Sequence, residues 1–194
     1  MRTRTLLTAG IVAGPLYVLV SLIEIAVRDG FDPSRHAWSM LANGPFGWVH
    51  SLTLIVSGLL VMAGAAGLSR AASRAVGVLI GLYGLGMVGS GFFAADPGRG
   101  FPAGTPEEVP VSWHGGLHFL LGGIGFLGLV AACLLLGRHL RGRLALFSYA
   151  TGVLFFAAFA ALAAGGGSAW SLFGFTGAVI LASAWLSTVC AHYR

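Results

Sequence analysis

The chain has 194 residues, of which 57% are hydrophobic and only 9% are charged, and its formal net charge is +5. Soluble domains carry about 25% charged residues, so this composition excludes an ordinary soluble globular protein. The basic residues are all arginine and lie in short clusters between apolar segments. That distribution argues against nucleic-acid binding and is typical of side chains that face the headgroups of anionic lipids.

Six apolar segments follow one another along the chain, each about 20 residues long, the length that a helix needs to cross a bilayer. A backbone surrounded by lipid must satisfy its own hydrogen bonds, which favours helices. The sequence therefore predicts an all-α integral membrane bundle, a single transmembrane domain over residues 1–194. The predicted spans are 5–27, 46–68, 75–94, 113–136, 144–164 and 170–190.

Polar residues gather where the first span ends and in the loop that follows it. Glu24 and Arg28 are four residues apart, in the favourable order for an ion pair on a helix. The pair is either a helix-end ion pair or a carboxylate that faces a pocket. Arg35, His36 and Ser39 in the loop are further pocket candidates. Ser39 could act as a nucleophile only if a base lies beside it.

The second and third spans add polar residues at the same level of the predicted bundle. His50 lies near the start of the second span, and Asp96 follows the third. The third span is also rich in glycine, with Gly77 and Gly81 at the start of the series. Small residues at this spacing let helices approach closely, so we expect packing within the bundle, with a dimer face as the alternative.

Two histidines mark the start of the fourth span. His114 and His118 are four residues apart, which directs both imidazoles to one face of a helix, a spacing that metal sites use. His50 and Asp96 lie at the same predicted depth, and the four residues form a candidate metal site with zinc as the candidate ion. The alternative interpretation is that these histidines serve packing or the membrane interface.

The arginines predict the orientation of the chain. If both termini are cytoplasmic, three arginines lie outside and eight lie inside, namely Arg2, Arg4, Arg70, Arg74, Arg138, Arg141, Arg143 and Arg194. An excess of arginine on the cytoplasmic side is the usual bias of membrane proteins. We therefore expect a multi-pass protein of the plasma membrane with both termini in the cytoplasm.

The loop after the first span resembles a known family. Residues 28–41 read RDGFDPSRHAWSML, and Gly44 to Trp48 follow. This segment, together with Asp96-Pro97 and His118, resembles the prokaryotic membrane proteins grouped as domain of unknown function 998. The resemblance covers nearly the whole chain and implies a six-helix membrane protein, but it supplies no activity.

Three functions remain open from the sequence. The first is an outward-facing polar pocket, built from the nine candidate residues, that binds a lipid headgroup or a small polar solute. The second is a zinc-dependent hydrolase, since Asp96, His50 and the His114–His118 pair resemble part of the metal set of the ceramidase and adiponectin-receptor superfamily. The third is a haem-binding redox protein with His50 and His118 as axial ligands. Membrane lipids are the expected partners, and the oligomeric state stays undetermined.

Overall fold

The structure is a computed structural model that describes residues 2–194, and it confirms the all-α prediction. The six long helices are α1 Thr3–Val27, α2 Gly47–Ala71, α3 Arg74–Phe92, α4 Trp113–His139, α5 Gly142–Ala164 and α6 Ala169–Tyr193, and a 3-10 helix covers Trp38–Ala42. All six are long and apolar enough to cross a membrane. The chain is therefore a multi-pass membrane protein, and its helix ends lie within three residues of the predicted ones.

The helices pack in chain order as a closed ring, in which each contacts the next and α6 contacts α1. We call one end of the bundle the loop face, because it carries the connections α1–α2, α3–α4 and α5–α6. The opposite end, the terminal face, carries both termini and the two short connections. At the loop face the connections touch each other, since Arg99 donates to the carbonyl oxygens of Gly166 and Gly167 and His36 bonds to the carbonyl oxygen of Arg99.

Glycines set the close spacing of α2, α3 and α4. A Cβ atom on Gly84 would lie 2.8 Å from the carbonyl oxygen of Gly58 in α2, and one on Gly86 would lie 2.7 Å from the carbonyl oxygen of Leu121 in α4. Only a residue without a side chain fits at such a distance. The glycine-rich third span thus packs within the bundle, against the helix on either side of it.

Candidate functional site

Glu24, Arg28 and His50 form a buried group between α1 and α2 that we call the polar cluster. One oxygen of Glu24, Oε2, lies 2.8 Å from Nδ1 of His50, and the other, Oε1, lies 3.6 Å from the Arg28 guanidinium. Glu24 is 5% exposed and His50 is fully buried. A buried carboxylate needs such partners because isolated charges are costly away from water. The structure therefore brings together these three of the predicted pocket residues.

The polar cluster also holds the loop that follows α1. Arg28 donates to the carbonyl oxygens of Leu41 and Asn43, at the end of the 3-10 helix, with 3.1 Å to Leu41. Leu41 is fully buried. Arg28 thus links the charge on α1 to the backbone of the segment that carries Trp38 and Ser39, and this segment is fixed over the interior of the bundle.

Below the 3-10 helix lies a central cavity of about 140 Å³ that side chains from all six helices line. Its loop-face end carries Trp38, Ser39, Ser90 and His118. Phe126 lies two turns further along α4 than His118, which is about 12 Å deeper. The deeper wall is mostly apolar and includes Leu54, Met87, Phe126, Phe159, Phe175 and Val179, together with the hydroxyl-bearing side chains of Tyr83 and Thr176. The cavity therefore has a polar end and a mostly apolar end.

The cavity reaches the outside of the bundle on one side. The α1, α2 and α3 residues that line it are buried, whereas most of those from α4, α5 and α6 keep exposed surface. Phe119 of α4 borders the cavity and is 62% exposed. In a membrane this side of the cavity, formed by α4, α5 and α6, would face the lipid.

His118 is buried at the polar end of the cavity, where its ring is held by α3. Its Nδ1 atom lies 2.8 Å from the carbonyl oxygen of Phe93 and 3.2 Å from that of Ser90. The hydroxyl group of Ser90 donates in return to the carbonyl oxygen of His118, at 3.4 Å. These contacts tie the start of α4 to the end of α3 and fix the plane of the imidazole.

Tyr17 of α1 contacts both the cavity and the polar cluster. It lines the cavity, and its ring centroid lies 5.9 Å from that of Trp38 and 5.8 Å from that of His50. His50 itself is not part of the cavity lining. The structure therefore does not place His50 and His118 opposite each other across the cavity, as axial haem ligands would require.

Two predicted pocket residues of the first loop serve loop packing instead. The Nδ1 atom of His36 accepts from the Asp32 backbone at 2.9 Å, so Nε2 carries the hydrogen in the neutral ring and donates to the carbonyl oxygen of Arg99 at 3.0 Å. Arg35 pairs with Glu107 at 2.7 Å on the surface. Ser34 donates its hydroxyl and its N–H to Asp32, which holds the pKa of that carboxyl below its usual value.

Asp96 and His114 lie at the start of α4 and outside the cavity. The Asp96 carboxylate accepts from the hydroxyl and the N–H of Ser112, the residue that caps α4 by accepting from the Gly115 N–H. His114 is exposed and its ring stacks on Trp113 with centroids 3.5 Å apart. Asp96 therefore supports the N-cap of α4 indirectly, because it orients the capping residue Ser112.

The four residues proposed as metal ligands, His50, Asp96, His114 and His118, occupy separate surroundings. Among residues 2–194, no three histidine, cysteine, aspartate or glutamate side chains are placed to hold one metal ion. His50 bonds to Glu24, Asp96 caps α4, and His118 bonds to α3 backbone. The i, i+4 spacing of the two histidines did not produce one site, since one is exposed and the other is buried.

Most of the residues that line the cavity were not among the predicted site residues, including Tyr17, Trp38, Tyr83 and Ser90. A signal for part of it exists. Tyr17 stands seven residues before Glu24, with Ser21 between them, so the three residues form one polar stripe on α1. The aromatic end gives no such signal. In a membrane protein, a phenylalanine that lines a cavity and one that faces lipid both stand in apolar sequence, so the sequence does not distinguish them.

Comparison with known proteins gives one match. A family model described as a protein of unknown function (DUF998) matches residues 11–192. No curated protein and no solved structure matches the chain. The match agrees with the resemblance carried by the loop motif and spans all six helices. The chain belongs to the DUF998 family.

Proposed function

We propose that this protein binds an amphipathic, lipid-like molecule in the central cavity, with its polar end beneath the 3-10 helix and its chain among the rings of α4, α5 and α6. The observation that carries the proposal is the polarity of the cavity itself. Ligand sites are usually concave and mostly apolar, with a few polar groups that fix orientation. Here Trp38, Ser39, Ser90 and His118 supply those groups at one end.

The size of the cavity limits what it can enclose. At about 140 Å³, it is close to the engineered cavity of roughly 150 Å³ that holds one benzene molecule. A whole lipid is larger, so the cavity encloses the polar end and the first part of a chain. The remainder extends out on the partly exposed side of α4, α5 and α6, where the surrounding bilayer accommodates an acyl or prenyl chain.

The polar cluster supports this function by holding the roof of the cavity. Arg28 fixes the carbonyl oxygens at the end of the 3-10 helix, and Trp38 at the start of the same helix lines the cavity. The proposal therefore assigns Glu24, Arg28 and His50 to the support of the site and Ser39 and His118 to its lining. This is narrower than the pocket predicted from the sequence.

Filling the cavity tests the proposal. Gly123 lines it, and a Cβ atom there would meet only the tip of the Phe159 ring, at 3.8 Å. Gly123→Leu should therefore occupy the space without moving the backbone. Gly174→Leu is the matched control, because a Cβ atom on Gly174 has nothing within 4 Å and the residue is not in the lining.

The measurement is photolabelling in nanodiscs with hexadecyl probes that carry a hydroxyl, carboxylate or phosphate head and a diazirine in the half of the chain next to that head. At least one probe should label α4 around Phe126 in a saturable way. Gly123→Leu should remove that labelling and Gly174→Leu should retain it. Labelling that is unsaturable for every probe, or equal in both variants, would contradict the proposal.

The orientation in the membrane is a second part of the proposed function. The terminal face carries eight of the eleven arginines, and the loop face carries Arg28, Arg35 and Arg99. We infer that the loop face is extracytoplasmic and that the protein resides in the plasma membrane. Reporter fusions after Gly142 should read as cytoplasmic and those after Gly100 as extracytoplasmic. The opposite result at both sites would reverse the orientation.

A further inference from the structure

We infer that the polar end of the bound molecule is a neutral hydroxyl group, so that the ligand class is a long-chain or prenyl alcohol and not a fatty acid or a phospholipid. This inference rests on the proposed function, since it concerns the same cavity. Three features of the polar end carry it: the absence of charge in the lining, a hydrogen-bond acceptor on His118, and an indole N–H on Trp38 that has no partner.

The cavity offers no counter-charge. Among the described residues that line it, none is aspartate, glutamate, lysine or arginine. Arg28 is already committed to Glu24 and to two carbonyl oxygens outside the cavity. A carboxylate or phosphate drawn into this space would lose water and gain no opposite charge, which is strongly unfavourable. A neutral head avoids that cost.

His118 presents an acceptor. Both partners of its Nδ1 atom are carbonyl oxygens, of Phe93 and Ser90, and a carbonyl oxygen can only accept. Nδ1 must therefore carry the hydrogen, and in the neutral imidazole Nε2 is left with a lone pair. Nε2 bonds to no group in residues 2–194, and His118 lines the cavity. The ligand should therefore donate a hydrogen bond to Nε2.

Trp38 presents a donor at the same end. Its indole Nε1 atom is buried and has no hydrogen-bond partner in the described part of the chain. An indole N–H can only donate, and a buried donor without a partner is costly. The atom itself has almost no accessible surface, so a ligand reaches it only after the indole ring turns toward the cavity, and the ligand must then accept a hydrogen bond. A hydroxyl group both donates and accepts, whereas an ether or ester only accepts and an alkane does neither.

A probe series on the unmodified protein tests the inference without any substitution. Purified protein in nanodiscs is titrated directly with four radiolabelled compounds of equal chain length: hexadecan-1-ol, its methyl ether, hexadecanoate and hexadecyl phosphate. The methyl ether replaces the donated hydrogen with a methyl group, so the comparison is read together with the His118→Phe variant below. Leaving one buried hydrogen-bonding group unsatisfied should weaken its binding by about fivefold or more relative to the alcohol.

Substitutions test which residue causes the difference in affinity between the alcohol and the ether. His118→Phe removes the acceptor and should erase the difference between alcohol and ether, and Trp38→Phe should weaken both compounds to a similar degree. His114→Phe is the matched control, because His114 is exposed and outside the lining, and it should leave all affinities unchanged. If His118→Phe fails to fold, the probe series on the unmodified protein still decides.

Each outcome has one meaning. Tighter binding of the alcohol than of the other three supports the inference. Equal binding of alcohol and ether, or tighter binding of hexadecanoate or hexadecyl phosphate, overturns the hydroxyl head and leaves the proposed function standing. Saturable binding of none of the four compounds, together with no saturable photolabelling, overturns the proposed function itself.

Discussion

The loop-face end of the bundle contains two polar regions of opposite character. The polar cluster between α1 and α2 holds a carboxylate, a guanidinium and an imidazole, and its members bond to one another and to the backbone. The cavity on the other side of Tyr17 has no aspartate, glutamate, lysine or arginine among its described lining residues, and its α4, α5 and α6 side is partly exposed. The charges of the polar cluster thus lie apart from the cavity lining, and within the cluster Oε1 of Glu24 and Nε2 of His50 have no hydrogen-bond partner among the described residues.

The two buried histidines show the same contrast. His50 is fully buried and its Nδ1 atom faces the Glu24 carboxylate. His118 is held by carbonyl oxygens that carry no net charge, and it lines the cavity. The two histidines therefore differ in their partners: a carboxylate ties His50 into the polar cluster, whereas backbone carbonyl oxygens hold His118 at the cavity wall.

The largest effect should follow from breaking the polar cluster. Glu24→Ala leaves the Arg28 guanidinium buried without its carboxylate, and removal of one partner from a buried ion pair costs about 3–5 kcal/mol. The expected result is a clearly lower unfolding temperature in detergent by scanning fluorimetry. Glu108→Ala is the control, since Glu108 is exposed.

A double-mutant cycle separates the pair from its surroundings. Glu24→Gln and Arg28→Gln should show a coupling above about 1 kcal/mol, as expected for neighbours in one network. Strictly additive effects would show that the two charges act independently, and the division between a charged support and an uncharged cavity would then lose its basis.

Glycine substitutions should give the next largest effect on stability, and this effect should differ between α2, which packs closely against α3, and α6. A Cβ atom on Gly58 of α2 would lie 2.6 Å from the carbonyl oxygen of Gly84 and 2.9 Å from the backbone nitrogen of Val88. Gly58→Ala must therefore push α2 and α3 apart, at a cost of about 1–3 kcal/mol. Gly177→Ala on α6 has nothing within 4 Å and should leave stability unchanged or raise it slightly. Equal unfolding temperatures for the two variants would mean that α2 and α3 tolerate separation.

The spans could be predicted from the sequence because apolar length alone defines them, and the polar cluster could be predicted in part because Glu24 and Arg28 have helical spacing. The separation of His114 from His118 could not. Both lie on one helix face by period, but only packing against α3 buries His118. The cavity could not be predicted from the sequence either. It forms where the six packed helices leave a gap, and the spacing of residues along one helix does not show where that gap lies.

Asp96 illustrates another limit. In the sequence, Asp96 was predicted to lie at the same depth in the membrane as His114 and His118, which favoured a metal ligand. Its position before Pro97 equally fits the end of a helix. The structure assigns it to Ser112, sixteen residues away. Pairing across a loop of that length is set by the loop conformation, and no local pattern in the sequence predicts it.

The smallest effect should come from the exposed counterpart of the buried ion pair. Arg35 and Glu107 approach to 2.7 Å, closer than the 3.6 Å of Arg28 and Glu24, but their side chains are 50% and 63% exposed. Exposed pairs contribute only about 0–1 kcal/mol, because water already solvates both charges and salt screens them. Arg35→Gln should therefore change the unfolding temperature little, and raising the salt concentration should remove even that change. Arg28→Gln removes the same kind of charge from a buried site and should destabilise the protein at every salt concentration. If Arg35→Gln proved as harmful as Arg28→Gln, the shorter distance would outweigh burial, and the contrast between the sealed cluster and the open regions of the loop face would have to be abandoned.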